Sequence, residues 1–370
     1  MSPPRKTTEA QLEDAAAIIR QKNAEIVLLK REAASLKESQ DHVREIREKI
    51  YKIAAYDPDP PEWLVRSRAS NERGNPLTIW SDWHYGEVVS RSQVNGVNEF
   101  NRTVARKRIE RLATTTCDLA VNHMGKSSLG YNGIVVCLGG DMLGGDIHDE
   151  LAATNDRTTQ QSIEDLIDLL GSAIETVATT FGKVFIPCVV GNHGRSTQKM
   201  RMKNRVFTSH EWNVYCALAR YFRKSKHIQF YIPEGADAHF RVHGTRYMLT
   251  HGDSLGVKGG DGLIGALGPI MRGALKTHRS ESQVDNEFDM MVIGHWHQAL
   301  WLPTCIVNNS LKGYDEYAKL QLRAPFSRPS QMLWFDHPRH GITARWEVYL
   351  EGRLQAKESR EWISVFKEAA

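Results

Sequence analysis

Apolar residues recur every seven positions at the start of this chain, at Leu12, Ile19, Ile26 and Ala33. Ala15, Leu29 and Leu36 form a companion row, interrupted by Lys22. No glycine or proline occurs between Glu9 and Tyr56, and the row resumes out of step at Val43, Ile46, Ile50 and Ile53. This spacing predicts a long N-terminal helix with a coiled-coil stripe and one stutter. A stripe with no other partner in the sequence favours a homo-oligomer formed through this arm. The prolines of YDPDPPEWL end the helix, since proline cannot continue the hydrogen-bond ladder. The expected division is a helical arm over 1–57 and one globular domain over 58–370.

From Asn75 the period changes. Short apolar runs (LTIW, GIVVCLGG, VFIPCVVG, RYMLTHG, MMVIGH) read as strands. Longer segments between them, Asn101 to His123, Gln160 to Phe181 and His210 to Lys224, carry helical spacing. Such alternation predicts an α/β fold. Two hairpins are expected as well, one turning at His243-Gly244 and one at Arg339 to Gly341. A mixed sheet system is therefore favoured over a purely parallel sheet.

The totals exclude some classes. The chain has 370 residues, 41 % hydrophobic and 25 % charged, an ordinary globular balance. No apolar run approaches the roughly 18 residues of a membrane span, and the N-terminus lacks a signal-peptide core. Five scattered cysteines without a C-x-x-C read as small buried hydrophobes in a reducing compartment, which predicts a cytoplasmic protein.

The candidate chemistry lies where the strands stop. LTIW runs into Asp82 and His84, VVCLGG into Asp141, and IPCVVG into Asn192 and His193. YMLT runs into His251 and Asp253, and MMVIG into His295 and His297. Ligands in α/β folds gather at the carboxyl ends of strands. If the pleat continued through SDWHYGE, Asp82 and His84 would point the same way. Oxygen and imidazole donors without thiolate suit Mn, Fe or Zn better than a structural zinc knot. Seven such side chains are enough for two ions when one carboxylate bridges them. Ions roughly 3.5–4 Å apart clamp an in-line attack at phosphorus.

The ordered motifs DWH, GGD, GNH, HGD and GHWH resemble the signature of the calcineurin-like metallophosphoesterases, nearest to their DNA-repair-nuclease branch. The resemblance spans Asp82 to His297, and VNNSLKG after it looks like the family's closing strand and turn. It implies a two-sheet β-sandwich flanked by helices with two divalent metals at one edge, Mn foremost, Fe or Zn next. It implies Asp82, His84 and His297 as ligands of one ion, and Asn192, His251 and His295 of the other. Asp141 would be the bridge, and a metal-bridged hydroxide the nucleophile. His193 resembles the catalytic histidine that contacts phosphoryl oxygens and protonates the leaving group. One departure stands out: Gly194 occupies the place where the family has an acid that orients this histidine. Asp253 and Asp146 are candidate substitutes. Arg195 is a candidate phosphate contact, and His148 a candidate contact at the rim.

The substrate is read from charge. Between Arg195 and Lys226 lie nine Lys or Arg and a single acid, Glu211. Lys199, Arg201, Lys203 and Arg205 crowd the start of this run, suiting a polyanion beside the site. Trp212, Tyr215, Tyr221 and Phe222 follow, and GVKGGDGLIGALGPIMRG reads as a mobile loop over the cleft. The expected function is a phosphodiesterase acting on nucleic acid, DNA favoured. The alternatives are a phosphomonoesterase on protein or nucleotide substrates, and a coiled-coil interaction protein with a vestigial metal site.

Overall fold

A computed structural model of the protein describes residues 22, 30, 74–123, 131–255 and 267–352. The expected arm over 1–57 lies outside the described residues, apart from the helical backbone at Lys22 and Lys30. In chain order the strands begin with β1 (Asn75–Trp80), β2 (Ile134–Leu138), β3 (Val184–Pro187) and β4 (Ile228–Tyr231). They continue with β5 (Ala238–Val242), β6 (Thr245–Leu249), β7 (Met290–Ile293), β8 (Leu300–Trp301) and β9 (Cys305–Val307). β10 (Ser330–His337) and β11 (Gly341–Tyr349) close the series. The described helices are α1 (Arg102–Asp118), α2 (Asp149–Thr154), α3 (Thr159–Phe181), α4 (His210–Tyr221), α5 (Leu267–Ser282) and α6 (Glu316–Leu320).

The fold is mixed α/β, with two mixed sheets. The first has the order β11-β10-β1-β2-β3-β4, the second β5-β6-β7-β9-β8. β1 to β4 are mutually parallel, and β10 joins β1 antiparallel. β6, β7 and β9 are parallel, with β5 and β8 antiparallel at the edges. Both expected hairpins form: β5–β6 turns between Val242 and Thr245, and β10–β11 between His337 and Gly341.

Period-two alternation decides which face each residue buries. In β2, Val135 and Cys137 face the second sheet, while Ile134, Val136 and Leu138 face the helices. Leu77 and Ile79 of β1 meet Tyr247 and Leu249 of β6 in the core between the sheets. Outside the first sheet lie α1, α3 and α4, through residues such as Ile109, Leu170 and Leu218. Outside the second, Ile270 and Ala274 of α5 cover Met248, Met291 and Val307. The layers therefore run helix, sheet, sheet, helix. α3 is bounded by its sequence: Thr158 and Gln161 form a capping box, and Gly182 ends the helix at φ 75°.

The expected mobile loop divides. Its part over 256–266 lies outside the described residues, and from Leu267 the chain is the helix α5. The apolar spacing of Ile270 and Ala274 against the second sheet overrides its glycines. The five cysteines are unpaired, and four of them are buried. No described helix is long and apolar enough to cross a membrane.

Candidate metal centre

The carboxyl ends of β1, β2 and β3 in one sheet and of β6 and β7 in the other carry the candidate residues. The backbone there is unusual. Asp82 (φ 55°), His84 (48°), Asp141 (50°), His295 (66°) and His297 (51°) all occupy the left-handed region. That region costs a side-chain-bearing residue roughly 1–2 kcal/mol and is concentrated at functional sites. The pleat expected to aim Asp82 and His84 together is absent, because β1 ends at Trp80. Instead, Asp82 N donates to Gly140 O and His84 N to Asp141 O, both at 3.0 Å. The two motif loops thus run side by side.

Two donor sets result. Asp82, His84 and His297 form one, and Asp141, His251 and His295 the other. In the first, His84 Nε2 lies 3.1 Å from His297 Nε2, which lies 3.3 Å from Asp82 Oδ1. In the second, His251 Nε2 lies 3.0 Å from Asp141 Oδ2 and 3.2 Å from Asn192 Oδ1. The carboxylates are anchored across motifs: His295 N donates to Asp82 Oδ1 at 2.9 Å, and His193 N to Asp141 Oδ1 at 2.8 Å. Ser81 Oγ donates to Asp82 Oδ2. A Cβ at Gly294 would lie 2.3 Å from Asp82 Oδ2, so only glycine allows this approach.

Neighbouring groups set the tautomers. His251 Nδ1 contacts Gly139 O at 2.9 Å, a carbonyl that only accepts, so Nδ1 carries the proton and Nε2 turns inward. His84 Nδ1 does the same with Glu87 Oε1 at 2.8 Å. Glu87 Oε2 accepts from Lys312 Nζ at 2.6 Å, and Lys312 also reaches Asp315 at 2.7 Å. Glu87, His84 and His193 are close enough to form a third donor set. Lys312 and His84 already satisfy the Glu87 carboxylate, so we read it as their partner.

Burial, then Lys312, lowers His84 to about 4, and burial, then His251, lowers His295 to about 4. Both are neutral donors at neutral pH. Burial opposes a charged His251, but the Asp141 carboxylate outweighs it and raises the ring to about 10, so without an ion Nε2 shares a proton with Asp141 Oδ2, and a metal ion would have to displace that proton. Despite desolvation, the surrounding histidines hold Asp141 well below the usual carboxylate range. Burial, then Asp141, lifts Glu211 to about 7.

His193 lies beside the first set, its ring 4.7 Å from that of His84. Its Nδ1 contacts Gly144 O at 3.1 Å and lies 3.9 Å from Glu87 Oε1. Neither expected substitute acid serves it. Asp253 pairs with Arg205 at 2.9 Å, and Asp146 accepts from Thr159 at 3.1 Å. His148 is exposed, its ring 5.7 Å from that of His193. Arg195, expected at a phosphate, instead donates to the carbonyls of Asn192, Thr197 and Gln198 at 2.6, 2.9 and 3.1 Å. Its guanidinium shapes the loop after His193. On that loop Lys199, Arg201 and Lys203 are exposed, whereas Arg205 is held by Asp253. Tyr215 and Phe222 are core residues, while Phe207 stacks edge-on against Trp212 at 5.1 Å near the surface.

Sequence reasoning missed Glu87, Lys312 and Glu211. Glu87 is three residues beyond His84 in the same short stretch, a spacing that marks an imidazole partner. No local signal ties Lys312 to it across 225 positions. No protein-family model matches the chain, and no curated protein matches it.

Proposed function

We propose that this is a dinuclear-metal phosphoesterase of the calcineurin-like type, a cytoplasmic phosphodiesterase acting on nucleic acid, DNA foremost. The observation that carries the reading is the meeting of two Asp/His donor sets at the joined ends of two sheets. The layering of helix, sheet, sheet and helix supports a metallophosphoesterase-type β-sandwich. The donors fit two divalent ions: oxygen and imidazole nitrogen with no thiolate, and lone pairs turned inward by Glu87 and Gly139. Such mixed oxygen and imidazole donors suit Mn, Fe or Zn, and the resemblance to the calcineurin-like family favours Mn among them. Asp82, His84 and His297 would hold one ion, Asn192, His251 and His295 the other, with Asp141 between. When bound, such ions activate water and offset charge on phosphoryl oxygens.

The chain's own residues do the rest. His193 donates from Nδ1 to Gly144 O, which turns Nε2 outward; in its doubly protonated form the ring would give the Nε2 proton to the leaving oxygen and return to the neutral imidazole. His148, its ring 5.7 Å from that of His193, would touch the leaving group. Lys199, Arg201 and Lys203 draw a polyanion toward the site by displacing its counterions. The N-terminal arm joins copies of the chain.

The test is hydrolysis of single-stranded DNA, plasmid, an aryl phosphodiester and an aryl phosphomonoester with Mn. Both DNA substrates and the diester should be cleaved, and chelation should stop it. The triple variant Lys199→Gln, Arg201→Gln, Lys203→Gln should bind DNA with a flatter salt slope, by roughly 0.7–0.9 for each phosphate it no longer neutralises. It should cleave the aryl diester as before. Turnover of the monoester alone would make the protein a phosphomonoesterase. An unchanged ratio of DNA to diester cleavage would show that the basic loop does not hold DNA. No hydrolysis and no bound metal would leave an interaction protein with a vestigial site.

A further inference from the structure

The structure assigns to Glu211 the role of a positioning residue that locks the Asp141 loop to the Asn192 loop. Its carboxylate occupies the space kept open by Gly194. The consequence for metal affinity rests on the metal-centre reading above. Glu211 is fully buried in the first turn of α4. Its Oε1 accepts from Met142 N at 2.6 Å and from Leu143 N at 3.4 Å. Its Oε2 accepts from Gly191 N at 2.7 Å. Met142 follows Asp141, and Gly191 precedes Asn192. One carboxylate therefore joins loops that arrive from β2 and β3, each carrying a candidate ligand. An ionised carboxylate offers only acceptor sites, which suits a cluster of backbone N–H groups. The start of α4 favours an anion there, and Ser209 Oγ accepts from Glu211 N at 3.2 Å.

Gly194 explains how the acid fits. Its φ is not among the positive values, so the backbone does not call for glycine. Space does. A Cβ at 194 would lie 2.7 Å from Glu211 Cγ and 3.0 Å from Cδ. The two positions are held together, since His210 N donates to Gly194 O at 2.7 Å and Arg195 bridges Ser209. Residues 194 and 211 therefore compete for one space. A carboxylate grown from 194, with glycine at 211, would reach the same amides. The helix thus places an acid beside the position after Gly-Asn-His, and that acid ties the two loops together without contacting the His193 ring.

The experiment is a positional swap in the full-length chain: Glu211→Gly, Gly194→Glu, and the two combined. Glu211→Gln joins them as a variant of unchanged shape, because it sets an NH2 against a loop N–H. Three quantities are read: amide hydrogen exchange of the loops around Met142 and Gly191, Mn affinity by calorimetry, and kcat and KM on an aryl phosphodiester. Glu211→Gln and Glu211→Gly should lose protection at both loops. They should bind Mn about tenfold to a hundredfold more weakly, as for other groups that orient metal ligands. kcat should fall more than KM changes. Gly194→Glu alone should also lose affinity, because two side chains then crowd one space. The double variant should regain protection and Mn affinity to within a few-fold of wild type. Wild-type protection and Mn affinity in Glu211→Gln would overturn the inference, as would a double variant no better than the worse single. A wild-type protein that binds no Mn would overturn the metal reading alone. Exchange then decides the loop lock by itself: protection lost in Glu211→Gln supports it, and protection kept overturns it.

Discussion

Among single residues, Lys312 is the least expendable charge near the site. It is 4 % exposed and holds Glu87 and Asp315, at 2.6 and 2.7 Å. Desolvation opposes its charge, but the two carboxylates raise its pKa above the ordinary lysine value. Desolvation also opposes ionisation of Glu87, yet Lys312 keeps that carboxyl below its usual range. Lys312→Met would leave two buried acids without their cation. Removing one partner of a buried ion pair costs about 3–5 kcal/mol. Urea unfolding at neutral pH should show a loss of that size, and an unchanged midpoint with an unchanged slope would refute the role. The substitution should also release His84, whose Nδ1 partner is Glu87. Residue by residue, the seven candidate ligands were legible because each follows an apolar run. Lys312 and Glu211 were not, because their roles come from pairings distant in sequence, whereas Glu87 lay within reach of a local reading, three residues from His84. Arg195 misled for the converse reason: its partners are carbonyls within three residues, which a charge count does not reveal.

Among the elements, the short apolar runs of β2 and β7 and the helical spacing of α3 were readable because each is a local pattern. The order of strands was not, since β1 pairs with β10 across the length of the domain. That pairing creates a second feature, at Asp336. A register shift in β10 falls between Phe335 and Asp336, and Asp336 is fully buried. Its Oδ2 accepts from Tyr247 Oη at 2.6 Å, and Trp334 Nε1 donates to the same Oη at 3.2 Å. Its Oδ1 has no hydrogen-bond partner. Burial raises the Asp336 pKa, more than the Tyr247 and Thr245 hydroxyls lower it. The folded state therefore holds this proton more tightly than the unfolded chain. The group's contribution is fully present below the ordinary aspartate pKa, and it is lost as pH rises through the folded value. Asp336→Asn should thus gain stability relative to wild type as pH rises from 4 to 7. Parallel thermal unfolding curves at each pH check this. A difference that is flat, or of opposite slope, would show that Asp336 is ionised and satisfied in the fold.

In the molecule as a whole, the site exists because two sheets place their parallel strand ends together. β1, β2 and β3 bring Asp82, His84, Asp141 and Asn192, while β6 and β7 bring His251, His295 and His297. The inter-sheet core of Leu77, Ile79, Val292 and Trp334 fixes their relative position. The bent, left-handed backbone at five of the seven candidate ligands is held by this frame. A sequence shows where strands stop, but not which stops converge, and that convergence turns scattered Asp and His into two donor sets. If these sets hold two ions bridged by Asp141, the ions must sense one another. Titration of metal-stripped protein with Mn(II), followed by calorimetry and by electron paramagnetic resonance, detects both the number of ions and their spin coupling. Two bridged ions give about two Mn per chain with coupled spins, and Asp141→Asn should abolish the coupling. No Mn bound to the wild-type chain, or coupling that survives in Asp141→Asn, would contradict a bridged pair.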